Sequence, residues 1–276
     1  MQTDINSVKI PDPGFGLESF TDNEIFKIHQ ATLDVLENTG IVIETEEALQ
    51  VFDGAGAEVD RKTRIVKIPP SVVEDAIRSA PSKIVLAGRD PKHSTILESG
   101  RVNFTNFSEG VEVVDPYNGE RRTPVKADLA NAARLVDYLS DIDVCEKAVG
   151  ASDVPQAVVS LHNAEAMLSN TTKHCCVGPG NGFLLNRLVQ MAAVIAGGIE
   201  NHTERPVLSF TTCPVSPLQL IDECCEIVIE SAKTGSVLNI LSMAMAGGTS
   251  PATLAGTLVT HNAEVLGGIT LNQLVS

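Results

Sequence analysis

Tryptophan is absent from the 276 residues, tyrosine occurs twice, and aromatic residues make up only 4% of the chain. A site that holds a cation between aromatic faces must therefore draw mainly on eight phenylalanines. Basic residues are also scarce. Twenty Lys and Arg against 35 Asp and Glu leave a formal net charge of −15, with no basic stripe to offset it. That balance excludes nucleic acid and anionic membrane surfaces as partners and leaves small molecules and other proteins. No apolar run approaches the roughly 18 residues of a membrane span. Met1 to Phe15 lacks the basic and apolar regions of a signal peptide, so a cytoplasmic location is expected. Of the six cysteines, Cys175 and Cys176 are adjacent, as are Cys224 and Cys225, which suits thiols better than a disulfide framework.

What is present is a chain with 43% hydrophobic and 20% charged residues, enough for a sizeable core. Residues 1–100 read as an N-terminal extension of helices and short strands. Thr21 with Glu24 forms a capping-box pattern ahead of Ile25, Ile28, Val35 and Leu36, with Gly40 as the stop. Thr45 to Phe52 predicts a second helix, and Ser71 with Glu74 a third. Arg64 to Ile68 and Lys83 to Leu86 read as strands. Asn118-Gly119, between Val111 to Val114 and Arg121 to Val125, is a hairpin signal.

From about residue 101 an apolar strand, a short turn and an amphipathic helix alternate five times. The strands are Val102 to Phe107, Ile142 to Val149, His174 to Val177, Val207 to Thr212 and Val237 to Met245. The helices are Lys126 to Leu139, Pro155 to Leu168, Phe183 to Ala196, Pro217 to Ala232 and Pro251 to Leu274. Ser216-Pro217 and Ser250-Pro251 each offer a hydroxyl N-cap and a proline at the first helical position. Such alternation means an α/β fold with a parallel sheet, and neither of these two turns has the Gly-x-Gly-x-x-Gly or P-loop spacing of an open nucleotide-binding sheet. The expectation is a (β/α)8 TIM barrel whose first part is 101–276, truncated after about five of its eight units.

In a barrel, chemistry sits at the C-terminal ends of the strands. Those places hold Asn106-Phe107-Ser108-Glu109, Gly150 to Asp153, Val177 to Asn181, Thr212 to Pro214, and Ser242 to Gly248. The last run, with Met243, Met245, Gly247 and Gly248, would let a flat or apolar ligand approach the backbone, although the methionines could equally fill the core. Glu109 beside Phe104 and Phe107 suits a cationic amine, against the plainer reading of a solvated loop acid. His174, Cys175 and Cys176 invite a zinc reading. Strand alternation turns Cys175 away from the other two and no C-x-x-C supplies more ligands, so no metal is expected and buried packing is preferred. Cys224 and Cys225 read as packing residues within a helix. His261 and Glu264 share a helix face away from the expected rim and read as structural.

The stretch Val237 to Leu266, VLNILSMAMAGGTSPATLAGTLVTHNAEVL, resembles the signature region of the trimethylamine methyltransferase family. Pro206 to Leu220 (PVLSFTTCPVSPLQL), Ala80 to Asp90 (APSKIVLAGRD) and Ile28 to Leu36 (IHQATLDVL) are similar to its other segments. The resemblance implies a (β/α)8 barrel that moves a methyl group from trimethylamine, or a quaternary amine such as glycine betaine, to the cobalt of a corrinoid (cobalamin) carried by a cognate partner protein. It also implies that this chain binds no cofactor of its own and that the full-length protein is a homo-oligomer. Some members use pyrrolysine as an electrophile, at a position beyond the match to Ser276, so the catalytic residue is expected there. Within 1–276, substrate-binding candidates are Phe104, Asn106, Phe107, Glu109, Phe210, Thr212, Ser242, Met243 and Met245. Gly178, Gly180, Gly247 and Gly248 are candidates to face the corrinoid. Two alternatives stay open: zinc-thiolate methyl transfer through His174, Cys176 and Cys213, and a non-catalytic barrel that binds an amine or docks a corrinoid protein.

Overall fold

A computed structural model describes residues 19–276. Met1 to Phe15, on which the expectation about a signal peptide rests, falls outside the described residues. Helix α1 (Asp22–Asp34) starts on the expected capping box, in which Thr21 Oγ1 accepts from Glu24 N at 3.3 Å while the Glu24 carboxylate accepts from Thr21 N at 2.8 Å. A wide turn at Val35–Thr39 carries it to Gly40, whose φ is 81°. A Cβ there would lie 2.6 Å from Val66 O, so the stop requires glycine for both conformation and space. There follow β1 (Ile41–Ile43), α2 (Glu46–Gly54), β2 (Glu58–Asp60), β3 (Ile65–Lys67) and α3 (Pro70–Ser79). The third helix departs from the Ser71 capping box. It begins at Pro70 without a side-chain cap, and Glu74 instead meets His29 Nε2 at 2.8 Å.

The middle of the chain, Ser82–Thr211, is one compact unit. Strands β4 (Lys83–Leu86) and β5 (Thr95–Glu98) pair antiparallel. The Asn118-Gly119 hairpin forms between β6 (Val113–Val114) and β7 (Arg121–Arg122), with Gly119 at φ 75°. Arg122 then grips Asp128 through both guanidinium ends, at 2.6 and 2.8 Å, while Asp128 accepts from Val125 N at 2.8 Å. This fixes the start of α4 (Lys126–Tyr138). Strand and helix then alternate through β8 (Val144–Glu146), α5 (Val159–Leu168), β9 (His174–Val177), α6 (Gly182–Ala196), the short α7 (Ile199–Glu204) and β10 (Leu208–Thr212). Strands β8, β9 and β10 are parallel neighbours, as the alternation required. The strand expected at Val102 to Phe107 is reduced to single bridges, Thr105 with Val144 and Gly110 with Val149. The reason is Asn106, whose amide donates to Glu146 O at 3.0 Å and accepts from Glu146 N at 2.9 Å, taking the place of the backbone ladder.

The second unit combines the described residues up to Pro81 with Thr212–Ser276, which contribute β11 (Gln219–Leu220), α8 (Asp222–Thr234), β12 (Leu238–Ile240) and α9 (Leu254–Val275). Its sheet runs β11-β1-β3-β2, and Leu36, Ile41, Ile43, Phe52, Val66, Leu220 and Val228 form the centre of its core. Two helix starts lie later than expected. After a cis Ser216–Pro217 peptide the chain joins the sheet edge: Val42 N donates to Leu218 O at 2.9 Å, and α8 starts only at Asp222. Near Pro251 the N-cap is Thr253, which accepts from Gly256 N at 3.2 Å, while Ser250 lies in a turn onto Met245 O. The architecture is therefore α/β with a parallel sheet and helices, and no closed barrel occurs among the described residues. No helix among those residues is long and apolar enough to cross a membrane.

The second unit is tied together by Glu264, a fully buried acid on α9. Its carboxylate accepts from Ser216 Oγ at 2.8 Å, Leu218 N at 2.9 Å and Ser242 Oγ at 2.5 Å. The Leu218 contact also holds that residue at φ 55°, a conformation costly for a branched side chain. Glu264→Gln would turn an amide donor toward one of three donors. The expected loss is about 2–4 kcal/mol, read from the urea unfolding midpoint, and an unchanged midpoint would contradict this account.

Candidate functional site

In the first unit, pairing and alternation sort the side chains of β8–β10 onto two faces. Glu146 is level with Cys176, and Cys176 with Ser209, so Val144, Glu146, His174, Cys176, Ser209 and Thr211 share one face. Cys145, Cys175, Val177, Leu208, Phe210 and Thr212 share the other. The first face is polar and its chemistry rises toward the C-terminal strand ends, where a barrel keeps its reactive groups.

His174, at the lower end of this face, is completely buried. Its Nδ1 lies 3.0 Å from Pro206 O and 3.2 Å from Ala87 O. Carbonyls only accept, so Nδ1 carries the proton, and Nε2 accepts from the Ser209 hydroxyl at 2.8 Å. Burial lowers the imidazole pKa to about 4, so the ring is neutral at pH 7. Beside it, Lys173 donates to Val136 O, Leu139 O and Ile142 O at 2.8, 2.5 and 2.5 Å, satisfying carbonyls at the end of α4 and in the turn that follows.

Higher on the face, the Cys176 thiol lies 3.1 Å from Thr211 Oγ1 and hydrogen-bonds the Glu146 carboxyl. Burial pushes that thiol up to about 12, so it stays protonated and acts as donor. Burial likewise raises the Glu146 carboxyl above its ordinary value, with the Glu109 charge adding to the shift. Glu109 itself is neutralised by Lys147 Nζ at 2.8 Å, and among the described residues no ion pair involves Glu146. Glu146 is the residue that sequence reasoning missed. An acid in a short strand carries no periodicity signal, and only the register places it beside Cys176.

The candidates read from the sequence are distributed unevenly. Phe104 and Phe107 are exposed, and Asn106 is a backbone clamp. Phe210 is fully buried, on the face of the sheet opposite Glu146. Thr212 is buried and hydrogen-bonded to the Cys224 thiol. In the second unit the Ser242 hydroxyl donates to Glu264, whereas Met243 and Met245 are exposed. A Cβ at Gly247 would meet nothing within 4 Å, and one at Gly178, in the first unit, only Thr211 O at 3.8 Å. Gly180 approaches Leu184 at 3.6 Å and Gly248 the Met245 sulfur at 3.3 Å. Among the described residues no three His, Cys, Asp or Glu side chains group so as to hold a metal ion, and both nitrogens of His174 are already engaged.

A family model described as trimethylamine methyltransferase (MTTB) matches residues 4–276. The chain is 49% identical over 263 residues to trimethylamine methyltransferase MttB of Desulfitobacterium hafniense, covering 95% of this chain and 53% of that protein. It is 42% identical over 267 residues to MttB of Methanosarcina barkeri, covering 95% and 54%. It is 31% identical over 258 residues to a glycine betaine methyltransferase of Desulfitobacterium hafniense strain Y51, covering 93% and 53%. The chain spans about half the length of the curated relatives it matches.

The depressed histidine gives a pH signature. A fall from 6.5 to about 4 means the unfolded chain binds a proton that the folded chain refuses. The His174 contribution is thus complete above pH 6.5 and is lost as pH falls toward 4, by on the order of 3 kcal/mol. Urea unfolding at pH 5 and pH 7 should show this loss, and His174→Asn should flatten it. Equal pH slopes for the two proteins would refute the assignment.

Proposed function

The chain belongs to the trimethylamine methyltransferase family, and on that premise we propose that its protein moves a methyl group from trimethylamine to the cobalt of a corrinoid carried by a separate protein. The carrying observation is the polar face at the C-terminal ends of β8–β10, where Glu146, among the described residues, has no cationic partner, while Phe104 and Phe107 are exposed in the segment before β8. An acidic, ring-bearing surface suits a methylated ammonium ion. Trimethylamine is preferred over glycine betaine on two grounds. Relatives named for trimethylamine are 41–49% identical, and a relative named for glycine betaine is 31% identical. In addition, Lys147 is occupied by Glu109, leaving a betaine carboxylate facing acid.

In this reading residues 1–100 form an extension and 101–276 the first part of a (β/α)8 barrel in a cytoplasmic homo-oligomer. The packing of α9 against α1 and α3 supports an extension that packs on the barrel. In the first unit, open space over Gly178 suits the close approach of a flat macrocycle, with Gly180 beside it in sequence. The partner's corrinoid supplies a nucleophilic cobalt for the methyl group. The residues of this chain need no general base: Phe104 and Phe107 hold and orient the substrate and exclude water.

The test uses the full-length protein with its corrinoid protein reduced to Co(I), following the loss of Co(I) absorbance on adding methylated amines. Turnover is expected with trimethylamine, with at least tenfold less on glycine betaine. Phe107→Ala should lower kcat/KM by about 10–100-fold, equivalent to roughly 1.4–2.7 kcal/mol. No turnover on any methylated amine would sink the proposal.

A further inference from the structure

Two carboxylates lie near each other at the upper end of the polar face, and they are not equivalent. Glu109 sits in the left-handed region at φ 63°, on a largely exposed side chain whose charge is matched by Lys147 at 2.8 Å. Glu146 is partly buried, receives the Cys176 thiol, and has its backbone clamped on both sides by Asn106. Its position is therefore fixed while its charge is unmatched. The bridges Thr105–Val144 and Gly110–Val149 bracket the segment that carries the exposed Phe107, and Glu146 lies between the same two bridges on the β8 side. An exposed ring and a fixed, unmatched carboxyl on these neighbouring segments offer the two halves of an ammonium site: the ring attracts the cation through its face, and the carboxylate supplies charge at low solvent exposure.

We propose that Glu146, with Phe107, recognises the positive charge of the methylated ammonium substrate, and that Glu109 and Lys147 form a neutral rim beside it. The inference rests on the methyl-transfer reading above and deepens it. The nitrogen loses its positive charge as the methyl group leaves, so a carboxylate here holds the substrate more strongly than the neutral amine product. Glu146 therefore acts on substrate binding and product release rather than on the transfer itself. The groups facing it are the Cys176 thiol, with Thr211 behind it, Glu109 with Lys147, and, two residues down β9, a neutral His174. None of these supplies a positive charge to replace the ligand's.

Binding to the full-length protein can be read without any corrinoid, by calorimetry with tetramethylammonium chloride and with its neutral counterpart tert-butanol. The expected result is preference for the cation in the wild type. Glu146→Gln should lose at least tenfold in cation affinity with tert-butanol binding unchanged, and Glu109→Gln should change little. Phe107→Leu, at an exposed position that carries no folding risk, should weaken the cation several-fold and spare tert-butanol. In turnover, Glu146→Gln should raise KM with kcat held or increased. Wild-type cation affinity in Glu146→Gln, no preference for the cation in the wild type, or a loss confined to Glu109→Gln would each overturn the inference. Methyl transfer without cation discrimination would refute this inference alone, whereas discrimination without methyl transfer would refute only the reaction.

Discussion

Burying an ionisable group is costly unless its hydrogen-bonding positions are filled, and in both units the groups that join distant segments meet this condition, whereas the buried ring of His202 has neither nitrogen bonded among the described residues. Lys173 spends its three ammonium protons on three carbonyls, His174 spends both nitrogens on Pro206, Ala87 and Ser209, and Glu264 gathers Ser216, Leu218 and Ser242. Each group joins segments that are distant in sequence, so each sets loop geometry that local propensity leaves open. Glu146 is the contrasting case. Its backbone is held as firmly as theirs, yet its carboxyl has only a thiol for company, and that difference separates structural ionisable groups from one available to a ligand.

Where the information was local, the sequence could be read directly. The Thr21–Glu24 box, the Asn118-Gly119 hairpin and the His174–Val177 strand are encoded within a few residues, and the structure has them in place. The misplaced elements are those where a distant partner overrides the local pattern. Ser216-Pro217 has the form of a helix start, but Glu264 and the edge of β1 take its hydroxyl and backbone, and α8 begins later. Asn106 similarly converts an apolar strand pattern into an irregular segment.

The candidate site was legible in part for the same reason. Phe107 and Glu109 are named from their place after an expected strand, which a single sequence suffices to give. Placing Phe210 and Glu146 on opposite faces needs the register, because a shift of one residue exchanges the two faces. Phe210 and Cys176 are separated by that single step of alternation.

Core residues between Leu33 and Val73 pack with those of α8 and α9, while the 130 residues from Ser82 to Thr211 belong to the other unit and lie between them in sequence. On a ribosome adding about 5–20 residues per second, the N-terminal segment emerges first and waits many seconds for α9 to close its core. During that interval the apolar surfaces of Leu36, Ile41 and Phe52 stand uncovered, so the middle unit completes its own contacts before the segment that precedes it. A nascent-chain chaperone has its natural target in the apolar residues between Leu33 and Val73.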